Sequence, residues 1–163
     1  MKGRHTDKMK KVINRCDIEF PAISENESFA RSAIAAFCTQ LDPTVEELSD
    51  IRTAVSEAVT NAIVHGYKDS GEGQVYISCK ITEDRALMIK VRDKGCGIAD
   101  IPLAMTPLYS GDPSGERGGM GFSIMESFTD DLKVVSSVSK GTEITMVKYF
   151  MPFLEFMADD EEE

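Results

Sequence analysis

Polar side chains at helical spacing mark one otherwise apolar stretch of the chain as a place where chemistry could occur. Glu57, Asn61 and His65 stand at i, i+4 and i+8, so a helix would carry all three on one face. Burying a carboxylate or a carboxamide without a partner costs on the order of several kcal/mol. These side chains therefore either line a solvated edge of the helix or bind a polar ligand.

A glycine-rich loop further along the chain has a composition that suits ligand binding. Asp93, Gly95 and Gly97 follow an apolar run, and glycine lets the backbone approach a ligand closely. The Asp93 carboxylate could accept a hydrogen bond from an exocyclic amine, such as that of adenine. The sequence leaves open whether this loop binds a base or forms an ordinary tight turn.

A second glycine-rich segment, residues 117–122, comes just before a predicted helix. Backbone N–H groups at a helix N-terminus attract anions, and Arg117 could reach a terminal phosphate. The segment has neither the Lys-Ser/Thr pair of a Walker motif nor the surrounding parallel βαβ unit of a dinucleotide fold. It is therefore either a phosphate-binding loop of another type or a flexible helix start beside an ordinary surface arginine.

The composition is that of a globular chain with the length of one domain and a strong negative charge. The 163 residues carry a formal net charge of −10, which disfavours direct nucleic-acid binding and anionic membranes and favours basic protein partners. No apolar run has the length of a membrane span and the basic start lacks a signal-peptide core, so we expect a cytoplasmic location. The scattered cysteines predict neither a zinc site nor a disulfide framework.

Two helices are predicted to position the first set of polar residues. Residues 24–27 match a capping box and begin a helix that ends near Leu41. Asp42 and Pro43 have the residue types of a cap and a first helical position, so they begin the second helix. This second helix carries the Glu-Asn-His face and ends at Gly66.

Short apolar runs separated by turn residues predict a sheet and the segments that connect its strands. Two hairpins are predicted over residues 74–91 and 132–150, with an edge strand over residues 17–22. Between the hairpins, the segment from Met105 to Arg117 has the length and glycine content of a mobile lid, and a helix follows over residues 122–128. This order predicts an α+β fold, a two-layer sandwich in which a mixed β-sheet is covered on one face by helices.

We expect one domain with a tail at each end. Residues 1–15 are predicted to be a flexible basic lead-in, and residues 153–163 an acidic tail. The domain between them, residues 16–152, is long enough to bury a core without disulfides or metals.

The motifs are far more specific in combination than singly. Their order is Glu-x-x-x-Asn-x-x-x-His-Gly, then Asp-x-Gly-x-Gly, then Gly-x-Gly before a helix, then Gly-Thr at a final hairpin. This order resembles the GHKL superfamily of ATPases and kinases, which has the Bergerat ATP-binding fold. The resemblance implies that ATP or ADP binds with Mg²⁺ and that the lid between the glycine boxes closes on the nucleotide. It assigns magnesium binding to Asn61, adenine recognition to Asp93 with Gly95 and Gly97, phosphate binding to Gly118, Gly119, Met120, Gly121 and Phe122, and support of the adenine-binding Asp to Thr142.

Four longer runs narrow the resemblance to one family. SENESFARSAIAAF, LDPTVEEL, SEAVTNAIVHGY and GMGFSIMESFTDDL are similar to the anti-sigma-F factors of endospore-forming bacteria, and the similarity covers nearly all of residues 17–150. The resemblance implies a homodimer that holds the sporulation sigma factor F and phosphorylates a serine of a small anti-anti-sigma protein. It further implies that Glu57 is the general base, that Arg117 contacts the γ-phosphate and that Arg31 lies on a partner-binding surface.

Two other functions stay open from the sequence. One is an ATP-gated sequestering module without significant kinase activity, and the other is a stress-response anti-sigma serine kinase. A histidine kinase is not expected, because the sequence shows no dimerisation helix with a phosphoacceptor histidine before this domain. We interpret His65 as a structural residue at the helix end.

Overall fold

The computed structural model describes residues 10–108 and 120–152 of the chain. Within these ranges, the strands are β1 (Val12–Pro21), β2 (Gln74–Thr82), β3 (Ala86–Arg92), β4 (Asp131–Ser137) and β5 (Gly141–Tyr149). The helices are α1 (Glu25–Cys38), α2 (Val45–Thr60), α3 (Ile101–Ala104) and α4 (Gly121–Phe128), with a 3-10 turn at Thr39–Leu41 and a π-helical segment at Asn61–Gly66.

The five strands form one sheet in the order β1-β2-β3-β5-β4, with helices on one face. All four ladders are antiparallel. The predicted α+β two-layer sandwich is therefore confirmed, whereas the prediction of a mixed sheet is wrong. β3 and β4 do run in the same direction, but β5 lies between them and hydrogen-bonds to both, so the described strands form no parallel ladder.

Strand β1 begins earlier than the sequence predicted. It starts at Val12 rather than at Asp17, and it pairs with β2 along its length. Residues 12–15, which were assigned to the flexible lead-in, therefore belong to the sheet. The Arg15 guanidinium lies 2.5 Å from the Asp17 carboxylate on the same face of the strand, so a charge that suggested a tail is paired within β1.

The residues that cap the first two helices differ from the predicted ones. Ser24 occupies the N-cap of α1, but its side chain makes no capping hydrogen bond. The capping box is instead at α2, where the Thr44 hydroxyl accepts from the Glu47 N–H at 3.1 Å and the Glu47 carboxylate accepts from the Thr44 N–H at 2.8 Å. Asp42, the predicted cap, ends the 3-10 turn with a φ of 48°, so the chain enters α2 two residues later than expected.

The core lies between the sheet and helices α1, α2 and α4 and fixes α2 in place. Alternate residues of β2 are buried, and α2 buries one face through residues three or four apart. Each fully buried Ile, Leu or Met contributes about 1.5–3 kcal/mol by leaving water. The bulkiest buried side chains include Ile34, Ile51, Ile63, Ile77, Ile81, Leu87, Ile89, Met125 and Met146.

Candidate nucleotide-binding site

A change of helix type separates the residues of the predicted polar face. After Thr60 the α-helix widens into the π-helical segment, in which the Tyr67 N–H donates to the Ala62 carbonyl at 3.0 Å. Glu57 lies in α2 before this segment, and Asn61 is its first residue. Both are half-buried, and both lie near Gly121. His65 lies beyond the widened turn and is exposed, so the prediction of one shared face fails for this residue.

Glu57 and Asn61 meet the start of helix α4 at Gly121. A Cβ atom on Gly121 would lie 3.0 Å from Glu57 Oε2 and 3.4 Å from Asn61 Oδ1, so the glycine leaves room for these side chains. Met120 occupies the N-cap of α4, and its side chain makes no capping hydrogen bond. Because the first N–H groups of a helix have no acceptor within it, this terminus is suited to an anion.

The Glu57 carboxyl is in an environment that favours its protonated form. Burial is the main cause of its raised pKa, and the nearby Glu27 carboxylate on α1 raises the pKa further. Glu27 in turn lies 3.6 Å from the Arg31 guanidinium, one helical turn away. Arg31, the predicted partner-binding residue, is therefore paired with the carboxylate that raises the pKa of the predicted base.

The other end of the site is the loop after β3. Asp93 is buried, and its carboxylate accepts a hydrogen bond from the Gly95 N–H at 2.8 Å. A Cβ on Gly66 would lie 2.9 Å from this carboxylate, so the end of the π-helical segment packs directly on Asp93. Burial raises the pKa of Asp93, and hydrogen bonds from the backbone of Gly95 and Thr142 partly oppose this shift.

Two glycines of this loop are required by close backbone contacts. A Cβ on Gly95 would lie 2.1 Å from the Gly66 carbonyl oxygen. A Cβ on Gly97 would lie 2.0 Å from the Ser137 carbonyl oxygen, and its φ of +72° is one that favours glycine. The loop is thereby held between the end of the π-helical segment and the β4–β5 hairpin. An ordinary tight turn would not need both contacts.

The β4–β5 hairpin contacts the loop through Thr142, the residue to which the resemblance assigns support of Asp93. The Thr142 carbonyl accepts the Asp93 N–H at 3.0 Å, and the Thr142 hydroxyl lies 2.8 Å from the Ser136 hydroxyl. Ser136 also accepts the Ile98 N–H at 2.8 Å. Sequence reasoning missed Ser136, since a serine in a strand carries no pattern that separates it from a solvated one.

Part of the predicted site lies outside the described residues. Arg117, Gly118, Gly119 and residues 109–117 of the predicted lid are among these. The described lid residues, 105–108, follow the short helix α3, which Asp100 caps through the Leu103 N–H at 2.9 Å. Phe122 is half-buried and packs against the core.

Two kinds of feature are absent from the described ranges. Among residues 10–108 and 120–152, no group of three or more His, Cys, Asp or Glu side chains is placed to hold a metal ion. In the same ranges, no helix combines the length and hydropathy needed to span a bilayer.

The sequence matches known proteins over most of its length. Residues 20–148 match a family model described as a histidine kinase-like ATPase domain. The chain is 56% identical over 137 residues to an anti-sigma F factor of Clostridium acetobutylicum, covering 84% of this chain and 94% of that one. It is 53% identical over 136 residues to an anti-sigma F factor of Bacillus licheniformis and 52% identical over 136 residues to that of Bacillus subtilis, covering 83% of this chain and 92% of each relative.

Solved structures share the fold at low sequence identity. The RsbU and RsbW domains of Rv1364c from Mycobacterium tuberculosis align with a TM-score of 0.59 and 17% identity, covering 85% of this chain and 35% of that longer one. The histidine kinase domain of a blue-light activated kinase from Erythrobacter litoralis aligns with a TM-score of 0.51 and 19% identity, covering 94% of this chain and 69% of that one. By its family model and its curated relatives, the chain belongs to the histidine kinase-like ATPases and, among them, to the anti-sigma F factors.

Proposed function

We propose that this protein binds sigma factor F and uses Mg-ATP to phosphorylate a serine of its anti-anti-sigma factor. The observation that carries the proposal is the meeting of Glu57 and Asn61 at the start of α4, in a chain whose close relatives are anti-sigma F factors. With the assigned roles, this arrangement would put a base and a magnesium ligand beside a helix terminus suited to phosphate. Phosphoryl transfer needs those groups more than it needs covalent chemistry.

The adenine end of ATP is assigned to the Asp93 loop. The Asp93 carboxylate would accept a hydrogen bond from the 6-amino group, with Gly95 and Gly97 keeping the loop close enough to the base. Thr142 would hold the loop from the hairpin side, and the hydrogen bond from the Asp93 N–H to its carbonyl supports this role. Gly118 to Phe122 would surround the phosphates, and Arg117 would contact the γ-phosphate.

Magnesium is assigned to Asn61. One amide oxygen is a suitable protein ligand, because Mg²⁺ usually keeps several waters and takes its other oxygens from phosphates. The Asn61 carboxamide lies at the start of α4, next to the Glu57 carboxylate, which supports the assignment. When bound, Mg²⁺ neutralises charge on the β- and γ-phosphate oxygens.

Glu57 is assigned the proton transfer. The Oγ of the substrate serine attacks the γ-phosphorus of ATP, and the Glu57 carboxylate accepts the hydroxyl proton. The bond from the γ-phosphorus to the bridging oxygen breaks, and ADP leaves with the electron pair. Burial supports this role, since a carboxylate with a raised pKa is a stronger base than an exposed one.

The partners follow from the relatives' name and from the surface near Arg31. We propose that sigma factor F and the anti-anti-sigma factor both contact the Arg31 surface, which lies beside Glu27 and therefore near the base. A homodimer in the cytoplasm completes the proposal. The chain's net charge of −10 favours basic segments on its protein partners.

The test is transfer of labelled γ-phosphate to the serine protein in the presence of Mg²⁺. Glu57→Gln should lower the transfer rate by about 100-fold or more while ATP binding persists, because only the proton acceptor is lost. Asn61→Ala should abolish the magnesium-dependent part of ATP binding. Glu126→Gln, a change at an exposed glutamate of α4, is the matched control and should transfer normally.

Each alternative has its own outcome in this assay. Undiminished transfer by Glu57→Gln would rule out Glu57 as the base, and tight Mg-ATP binding by Asn61→Ala would contradict the magnesium assignment. ATP-dependent sigma-factor binding without any transfer by the unmodified chain would establish the sequestering module instead. Transfer to an anti-anti-sigma factor of a stress-response pathway, but not to a sporulation one, would establish the third function.

A further inference from the structure

Tyr67 links three parts of the molecule through its hydroxyl group. The residue follows the π-helical segment directly, and its hydroxyl donates to the Gln74 carbonyl at the start of β2 at 2.7 Å. The same oxygen accepts the Lys94 N–H at 2.8 Å. Lys94 directly follows Asp93, so Tyr67, the last residue of the run SEAVTNAIVHGY, contacts the backbone of the predicted adenine loop.

Four successive N–H groups of that loop donate to fixed acceptors. The Asp93 N–H donates to the Thr142 carbonyl at 3.0 Å, the Gly95 N–H to the Asp93 carboxylate at 2.8 Å, and the Cys96 N–H to the Gly66 carbonyl at 2.9 Å. The Lys94 N–H donates to Tyr67. Of the four acceptors, the Tyr67 hydroxyl is the one that another element supplies through a side chain.

The Tyr67 ring is held on a glycine. A Cβ on Gly73 would lie 2.3 Å from ring atom Cε1, so the ring lies directly over the Gly73 backbone. Gly73 itself is fixed, since its carbonyl accepts the Ala22 N–H at 3.0 Å. With the ring fixed and the hydroxyl both donating and accepting, the phenol oxygen has a defined position relative to the sheet.

Lys94 is held from its other side as well. Its ammonium group lies 5.0 Å from the centre of the Tyr76 ring, which is on β2. The peptide between Asp93 and Lys94 is therefore oriented by Tyr67 at its N–H. Because a peptide is planar, fixing that N–H also orients the Asp93 carbonyl and restrains the backbone next to the Cα that carries the carboxylate.

We propose that Tyr67 is a positioning residue for base recognition, which orients Asp93 so that the site distinguishes adenine from purines without a 6-amino group. This inference rests on the proposed function, in which Asp93 accepts the adenine 6-amino hydrogen bond. Tyr67 touches neither the base nor the phosphates in this scheme. It acts through the Asp93–Lys94 peptide.

The test compares ATP with purine riboside triphosphate, which lacks the 6-amino group, by calorimetric titration in Mg²⁺. Tyr67→Phe keeps the ring on Gly73 and removes the hydroxyl. ATP affinity should fall about three- to tenfold, as expected for a lost hydrogen bond, while affinity for the analogue should change by less than about twofold. Tyr149→Phe, at a half-exposed tyrosine on β5, is the matched control and should preserve both affinities.

The outcomes separate the inference from the function on which it rests. If Tyr67→Phe weakens both nucleotides equally, Tyr67 is a structural residue only. If it weakens neither, Tyr67 does not position Asp93, and either result overturns the inference. A failure of the unmodified chain to prefer ATP over the analogue would instead refute adenine recognition by Asp93. Thermal melting of each variant without nucleotide shows whether folding itself has changed.

Discussion

The two ends of the candidate site differ in their packing and in the electrostatics of their polar groups. At the proposed adenine end, four successive backbone N–H groups have acceptors, and the loop is held by contacts that admit only glycine. At the proposed phosphate end, the Met120 side chain makes no hydrogen bond at the N-cap of α4, and burial raises the pKa of Glu57. A close-packed loop can select a ligand by shape, whereas a helix N-terminus beside a carboxyl with a raised pKa is suited to bind an anion and to accept a proton.

The largest predicted effect comes from disrupting the packed end. In Gly95→Ala the new Cβ would meet the Gly66 carbonyl at 2.1 Å, and neither backbone segment can move away without breaking hydrogen bonds. We expect unfolding free energy to fall by about 3 kcal/mol, the upper end for overpacking, together with loss of ATP binding. Denaturant titration and calorimetry measure these changes.

Gly71→Ala is the control for this substitution. Gly71 has a φ of +75°, but a Cβ added there would meet no atom within 4 Å, so alanine adds only the backbone cost of about 1–2 kcal/mol. ATP binding should persist in this variant. If Gly95→Ala proves as stable as Gly71→Ala, the close contact between the Gly95 and Gly66 backbones does not hold the loop.

A second prediction separates ligand selection from stability at the same end. Asp93→Asn should weaken ATP binding by about 10- to 100-fold, because a charged acceptor for the 6-amino group is replaced by a weaker neutral one. Without nucleotide, the variant should melt at a higher temperature than the parent at neutral pH. Burial raises the folded-state pKa of Asp93 above its ordinary 3.8, so the ionised carboxylate disfavours the folded state.

The pH dependence gives the sign of this effect. Stability associated with a raised carboxyl pKa is present below the ordinary pKa and is lost as the pH rises through the folded-state value. The melting-temperature advantage of Asp93→Asn should therefore shrink as the pH is lowered towards 3.8. An advantage that stays constant across this range would mean that desolvation of Asp93 is not its cause.

The smallest predicted effect belongs to the phosphate end. In Gly121→Ala the new Cβ would lie 3.0 Å from Glu57 Oε2, the far end of a flexible side chain that can rotate away. Stability should change by less than about 1 kcal/mol, but phosphoryl transfer should fall about tenfold because the proposed base, Glu57, is displaced. A loss of stability as large as that of Gly95→Ala would show that the two ends are equally rigid.

Local patterns in the sequence predicted the elements of this fold well. Alternation in residues 74–91 and 132–150 gave both hairpins, and the glycine before residue 122 gave the start of α4. Helical spacing brought Glu57 and Asn61 to one place. These features depend on neighbours in the chain, which a sequence displays directly.

Features set by distant contacts could not be predicted. Ser24 and Thr44 both precede a glutamate by three residues, and only the turn geometry before each helix decides which one caps. The insertion of β5 between β3 and β4 made the sheet antiparallel, although β3 and β4 run in the same direction. The π-helical segment and the hydrogen bond from the Lys94 N–H to the Tyr67 hydroxyl likewise arise from packing between elements, so no local pattern predicts them.

The position of β5 has a consequence for biosynthesis. This strand is the last described one to leave the ribosome, yet it lies inside the sheet and supplies the Thr142 carbonyl that accepts the Asp93 N–H. A nascent chain that ends before β5 lacks this acceptor and has β4 without its only described neighbour. Nucleotide capture should therefore begin only after nearly all of the domain has been translated, so that incomplete chains do not compete for ATP or for partners.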